Sequence, residues 1–402
     1  MPAPDPGDPR IMDGAAWQRF CEQLRRSSDL VLGKGVAASP GSRAEGFQYL
    51  TRFLEAGIRL CVSHADPDYP VFGRMIEYTM TWGLDAPDCL YVYAALRGDA
   101  AYRIEGWRGT ANHIDIQVNA GHYAMGDVAS WETISSMSGF DLETDSEGNF
   151  ELVLGGERGR HANWLALRED AGFLLIRQYF NDWETERPAD LLIERIGADY
   201  PIPPARSDRV ADQLELLETW LDRGGALWEQ MSRSFLGLEP NTLLVHLPEN
   251  AGEHTGMAGQ AYGIGNFRCA PGQAVIVEFS PPDCHHWSVS LANYYWQSID
   301  YATRQTSLNG HQALLDEDGV FRAVIAHEDP GFANWLDTGG HTEGSIAARF
   351  LRAESAPAPK LRVVPHASLA AELPDTTKRI DPATRSEILA CRRRAVLRRY
   401  RV

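Results

Sequence analysis

The chain has 402 residues, 44% of them hydrophobic, which is enough to bury a large core and to fill two or three domains rather than one small one. It carries 38 Lys and Arg against 55 Asp and Glu, a formal charge of -17, which repels polyphosphate and argues against nucleic acid as a partner. The six cysteines (Cys21, Cys61, Cys89, Cys269, Cys284, Cys391) form no C-x-x-C pair, and the start MPAPDPGDPR lacks the basic and apolar regions of a signal peptide, so reduced thiols, a cytoplasmic location and no membrane span are expected.

In chain order, residues 1–84 read as a disordered start followed by a helical region, in which Trp17, Phe20, Cys21 and Leu24, then Phe47, Leu50, Phe53, Leu54 and Ile58, recur at helical spacing. Residues 85–206 change to short runs rich in β-branched and aromatic residues and punctuated by Gly, such as LYVYAALRG, AYRIEGWRG and HIDIQVNAG, which predict strands. Residues 207–241 return to helical spacing, with Val210, Leu214, Leu217 and Leu221 on one stripe and Gly224-Gly225 dividing two helices. A second β region spans 242–355. Residues 356–402 then hold the linker SAPAPK and a terminal helix, opened by Asp381 as N-cap and Pro382, whose arginines in CRRRAVLRRYRV read first as a solvated face.

The two β regions are copies of one unit. SGFDLETDSEGNFELVLGGERGRHANWL (138–165) falls without a gap on NGHQALLDEDGVFRAVIAHEDPGFANWL (309–336), matching Gly139 with Gly310, Asp145 with Asp316, Gly148 with Gly319, Phe150 with Phe321 and Asn163-Trp164-Leu165 with Asn334-Trp335-Leu336. Upstream, after a small shift of register, Glu105 meets Glu278 and His113 meets His286. The expected fold is therefore mainly β with a helical N-terminal region: two tandem antiparallel β-sandwich or jelly-roll units joined by helices.

The segments AYRIEGWRGT, IRQYFNDWETERPADLLIERI, YGIGNFRCAPGQAVIVEFSPPDCHHWSVSLANYYWQSIDYA and SLNGHQALLDEDGVFRAVIAHEDPGFANWLDTGGH resemble the bacterial DUF1214 family over about residues 85–353. The resemblance implies a tandem β-sandwich or jelly-roll fold in soluble proteins, often from bacteria that catabolise lipids, steroids or aromatic compounds. It implies no established reaction.

A duplicated chain offers an internal test, since scaffold residues should recur in both copies and residues of a single active site need not. On that test the Asn-Trp-Leu motifs are architectural, although Asn334 also stands as a ligand contact, and the repeat-symmetric pair His113 and His286 is set aside as structural or solvent-facing. In HHWSVSL, Trp287, Val289 and Leu291 form a core face and His286, Ser288 and Ser290 the other. The second copy gains His311 for Phe140, His327 for Gly156 and Asp329 for Arg158, with His246, His254, His285 and His341 nearby. The leading expectation is thus a small-molecule enzyme using acid-base or hydrolytic chemistry on a lipophilic or aromatic compound. His311, His327 or His341 would act as base or acid, Asp329 or Asp337 as orienting carboxylate, and Tyr294 or Trp296 as apolar wall. The alternatives are a non-catalytic carbohydrate- or lipid-binding tandem sandwich and a homo-oligomeric assembly role for the basic tail. No H-E-x-x-H, G-x-S-x-G or P-loop motif is present, and because jelly-roll sites gather ligands from distant strands, local spacing leaves metal and cofactor open.

Overall fold

The computed structural model describes residues 5–33, 39–247 and 260–400. Its contacts divide the chain into two compact units, one of Met1–Met80, Leu90–Gln178 and Pro188–Glu229, the other of Thr81–Cys89, Tyr179–Arg187 and Gln230–Val402. The chain is mostly β, in four sheets with none closed into a barrel, and its long helices lie at the N-terminus, in the middle and at the C-terminus.

The first unit begins with α1 (Pro9–Met12), α2 (Ala15–Arg26), α3 (Asp29–Leu32) and α4 (Pro40–Ile58). Helix α1 lies where the sequence suggested disorder, because Asp8 accepts from the Arg10 N–H at 2.8 Å and caps a helix with Pro9 at its start. Helix α4 is capped in the same way by Ser39 and packs Phe53 on Trp220 with ring centres 4.3 Å apart. The strands are β1 (Gly73–Ile76), β2 (Cys89–Ala95), β3 (Tyr102–Trp107), β4 (His113–Ala120), β5 (Thr133–Ser138), β6 (Asn149–Leu154), β7 (Asn163–Leu165), β8 (Ala171–Tyr179) and β9 (Asp190–Arg195). They form a five-stranded sheet in the order β1-β2-β8-β4-β5 and a four-stranded sheet β7-β6-β3-β9. Helices α5 (Ser207–Thr219) and α6 (Gly225–Leu236) follow, with a π-turn at Trp220–Gly224 between them.

The second unit repeats this plan. Its strands are β10 (Thr242–His246), β11 (Gln260–Arg268), β12 (Gln273–Phe279), β13 (His286–Ala292), β14 (Ser307–Asn309), β15 (Phe321–Ala326), β16 (Trp335–Asp337), β17 (Glu343–Leu351) and β18 (Lys360–Pro365). They order as β10-β11-β17-β13-β14 and β16-β15-β12-β18, each strand nine places after its counterpart. Phe267, Val289, Leu291, Ile346 and Phe350 from the first of these sheets and Val275, Val277, Phe321 and Ile325 from the second share one apolar core, which is sandwich packing. Helices α7 (Leu369–Glu372) and α8 (Pro382–Tyr400) close the chain, and Asp381 caps α8 by accepting from the Thr384 N–H at 2.8 Å.

Three expectations change. The sheets are mixed rather than antiparallel throughout, since β6 pairs in parallel with β7 and β15 with β16; the stretch before each Asn-Trp-Leu crosses over instead of turning back as a hairpin. Strand β18 begins at the last residue of SAPAPK, where Lys360–Pro365 pairs with β12. The terminal helix is not a purely solvated face, because Arg385, Arg392 and Arg399, seven residues apart, are 4%, 5% and 5% exposed.

The repeat is exact in its turns and its asparagines. Gly148 and Gly319 both take a left-handed φ, +87° and +76°, and donate to Asp145 and Asp316 carbonyls. Asn163 donates to the Glu143 and Glu151 carbonyls at 2.8 and 2.9 Å, and Asn334 to those of Leu314 and Arg322 at 2.6 and 3.0 Å. Each also accepts a backbone N–H, from Glu143 and Leu314. Trp164 and Trp335 donate to the Gly155 and Ala326 carbonyls.

Candidate functional site

In the second unit every residue of β13 is buried, not one face alone. Trp287, Val289 and Leu291 enter the apolar core, and the opposite face is polar. Across that face Tyr262, Arg349, Ser288 and Asn309 stand in register on β11, β17, β13 and β14, with His286 two residues along from Ser288. The layer is buried because other parts of the same unit cover it: residues 81–89, residues 179–187 and the buried arginines of α8.

These covering segments supply acids to the sheet. Asp85 accepts from the Ser298 N–H at 3.0 Å, while the Arg349 guanidinium donates to the Leu84 carbonyl and lies 5.0 Å from the Tyr262 ring. Asp88 Oδ1 accepts from Trp183 Nε1 at 2.8 Å and from Asn309 Nδ2 at 2.6 Å. The Asn309 amide also donates to the Phe180 and Asn181 carbonyls, fixing residues 179–187 against the sheet.

His286 sits at the centre. Its ring is fully buried, Nδ1 is hydrogen-bonded to Asn181 Oδ1, and Nε2 lies 4.0 Å from Asp88 Oδ2. Tyr179 packs beside it, ring centres 5.4 Å apart. Burial lowers the imidazole to about 4, outweighing the attraction of Asp88, so the ring is neutral near pH 7. A neutral ring that donates from Nδ1 to Asn181 presents a lone pair at Nε2. Nε2 and Asp88 Oδ2 are then two buried acceptors facing each other, and neither has a hydrogen-bond partner among the described residues. Burial also raises Asp85 to about 6 and lowers Arg392 to about 10.

The residues singled out from sequence are distributed differently. His327 donates Nε2–H to the Cys269 carbonyl at 2.7 Å and accepts the Thr338 hydroxyl at Nδ1 at 2.9 Å, so both its nitrogens are engaged. Asp337 pairs with Arg304 at 2.8 Å and accepts the Gly339 N–H, and His341 closes the same turn through its backbone. Asp329 pairs with Arg385 at 3.0 Å. Asn334 is occupied by backbone groups, as described above. Trp296, with a left-handed φ of +58°, stacks on Phe235 at 5.0 Å, and Tyr294 accepts the Ser232 hydroxyl at its carbonyl. His311 is the member of the set beside the buried layer: its side chain is 57% exposed, Nε2 lies 4.0 Å from Asp182 Oδ1, and its backbone N–H donates to Asn309. His254 lies outside the described residues. No group of three or more His, Cys, Asp or Glu side chains able to hold a metal ion occurs among the described residues, all six cysteines are free, and no described helix is long and apolar enough to cross a membrane.

Among solved structures, an uncharacterized protein from Burkholderia cenocepacia is 31% identical, with a TM-score of 0.84, over 89% of this chain and 99% of its own. The family model for a protein of unknown function, DUF1214, matches residues 274–355. The chain belongs to the DUF1214 family. A Vibrio parahaemolyticus protein also aligns, at 12% identity and a TM-score of 0.45 over 85% of this chain and all of its own. No curated protein matches. The DUF1214 segment contains His286, Ser288, Asn309 and Arg349 of the polar layer, whereas Tyr262, Asp85, Asp88, Asn181, Trp183, Arg392 and Arg399 fall outside it.

Sequence reasoning set His286 aside because it is repeat-symmetric, and it passed over Arg349. The signal was present: AGFLLIRQYF and EGSIAARFLR align Gly172 with Gly344 and Arg177 with Arg349, a long cation at the same position of a mainly apolar strand in both copies. Symmetry marked a buried polar layer as well as a scaffold.

Proposed function

We propose that the chain is a small-molecule enzyme whose acid-base centre is His286, held by Asn181 and faced by Asp88. The observation that carries this reading is the opposition of two buried, unpartnered acceptors 4.0 Å apart. Leaving such atoms without a donor is costly, and one donor atom lying off the line between them reaches both. A hydroxyl, amine or water bound there would pass its proton to Nε2, with Asp88 stabilising the imidazolium and the Asn181 bond keeping the ring oriented. Tyr179 and Trp183 beside the pair suit a lipophilic or aromatic substrate. His311, largely exposed and tied to Asn309, with the half-buried Asp182 next to Asn181 in sequence, suits the exchange of that proton with solvent.

The test uses the full chain with its His286→Gln and Asp88→Asn variants, each incubated with a soluble metabolite extract while compound depletion is followed by mass spectrometry. Consumption of one compound series by the wild type, and by neither folded variant, is expected. Equal depletion by all three, or none by the wild type, would remove the reading.

A second reading, non-catalytic saccharide binding, draws on an open groove of about 790 Å³ in the first unit, where Trp107 and Leu192 lie among Glu105, Asn149, Glu151 and Asp190. An indole flanked by carboxylates and an amide can stack a sugar ring and bond its hydroxyls. Loss of soluble-saccharide binding in Trp107→Ala supports it, and absence of binding in the wild type removes it.

A further inference from the structure

Arg399, on the last turn of α8, is 5% exposed. Its Nη1 donates to the Pro87 carbonyl at 2.6 Å, and its guanidinium lies 4.5 Å from the Trp183 ring and 4.6 Å from that of Phe180. Nε and Nη2 are buried and meet no acceptor among the described residues. Arg392 also lies 4.5 Å from Trp183, but its donors reach the Tyr301 carbonyl, Gln312 Oε1 and Ser307 Oγ at 3.3, 3.2 and 2.9 Å. Two buried guanidiniums thus share one indole, and only Arg399 has an open edge.

Arg385 is paired with Asp329. Arg349 lies near the charge of Asp85 and Arg392 near those of Asp88 and Asp300, whereas the Nε–Nη2 edge of Arg399 meets no acceptor among the described residues. Buried guanidinium N–H groups without an acceptor are costly. The open edge has a specific shape, because Nε–H and Nη2–H of a guanidinium point in parallel and match the two oxygens of a carboxylate.

We infer that Arg399 anchors the carboxylate of a small monoanionic acid, with Trp183 and Phe180 flanking the bound group. This names the ligand class of the site proposed above and rests on that reading only for the link to His286. The link runs through Trp183, which stacks under Arg399 and donates to Asp88. Simple inorganic cations would leave that edge without an acceptor.

Thermal unfolding of the full chain is followed while sodium formate, acetate and propionate are titrated against sodium chloride at equal ionic strength. At least one carboxylate should raise the melting temperature saturably in the wild type and in Arg398→Gln, whose arginine is exposed, and its apparent affinity should fall at least about tenfold in Arg399→Gln. A wild-type response no larger than that to chloride, or an undiminished response in Arg399→Gln, overturns the inference. If Arg399→Gln does not fold, the wild type is titrated with formamide, acetamide and propionamide: stabilisation by the acids alone supports the anchor, and equal stabilisation by the amides overturns it. Carboxylate binding that survives in His286→Gln, alongside unchanged metabolite turnover in that variant, would sink the acid-base role and leave the anchor standing.

Discussion

The two units bury a polar layer on the same face of equivalent sheets, and they neutralise it differently. In the first unit Arg177 on β8 lies 3.6 Å from Asp115 and donates to Gln117, both on neighbouring β4, so the sheet balances its own charge. In the second unit the positions of Asp115 and Gln117 are Ser288 and Ser290. Serines thus stand on β13 where β4 carries the acid and amide, and Asp85 and Asp88 reach the layer from residues 81–89 while Arg392 and Arg399 enter from α8. One duplicated scaffold thus yields an ion pair within the sheet in one copy and, in the other, a layer with an unpartnered guanidinium edge and facing acceptors. Duplication allows this divergence, because the Asn-Trp-Leu bonds and the Gly turns hold each fold while the polar face changes.

The largest expected effect tests the closed pair. Arg177→Met should destabilise the chain by about 3–5 kcal/mol, because Asp115 is left buried and alone, and Arg177→Met with Asp115→Leu should recover most of that loss. Urea denaturation of the two variants measures it, and a single variant as stable as the double would show that the pair is not closed.

The next test concerns pH. The native pKa of His286 lies below its unfolded value near 6.5. The unfolded chain therefore binds the extra proton first as pH falls, and stability drains away between about 6.5 and 4. Wild type should lose roughly 3 kcal/mol more than His286→Gln over that window. Asp85 and Asp115, both raised to about 6, act in the opposite sense, their contribution growing as pH falls from 6 toward 4. They do so in both proteins alike and cancel in the difference. Parallel stability curves for the two proteins would mean that His286 is not held neutral.

Smaller and symmetric effects are expected from Asn163→Ala and Asn334→Ala, about 2 kcal/mol each, since each leaves backbone groups of two segments without partners. Chemical denaturation should give similar values for the two copies, and a much smaller cost for Asn334 would return it to the ligand contacts. His311→Ala should change stability by less than about 0.5 kcal/mol because the side chain is largely exposed. A larger loss in the melting curve would tie it to the scaffold.

The spacing of apolar residues and Gly turns was enough to place most strands, the divided helix at Gly224-Gly225 and the Asp381 cap. The same alternation misjudged HHWSVSL, because period two separates the faces of a strand without saying what covers the second one. The histidines unique to the second copy were visible in the alignment, but His327 is consumed by the Cys269 carbonyl and Thr338, contacts that no pattern of sequence spacing encodes.

By itself the sequence determined the duplication, the β class and the architectural asparagines, since these depend on local periodicity and on residues repeated at fixed separation. Only the tertiary structure decided which polar groups meet. Asp88, Asn181, His286 and Arg399 are separated by about a hundred residues at each step, and they converge because covering segments close over a sheet face and exclude water from it. Burial of that kind, which turns ordinary side chains into a charged layer needing a partner, is a property of the packed fold and not of any segment within it.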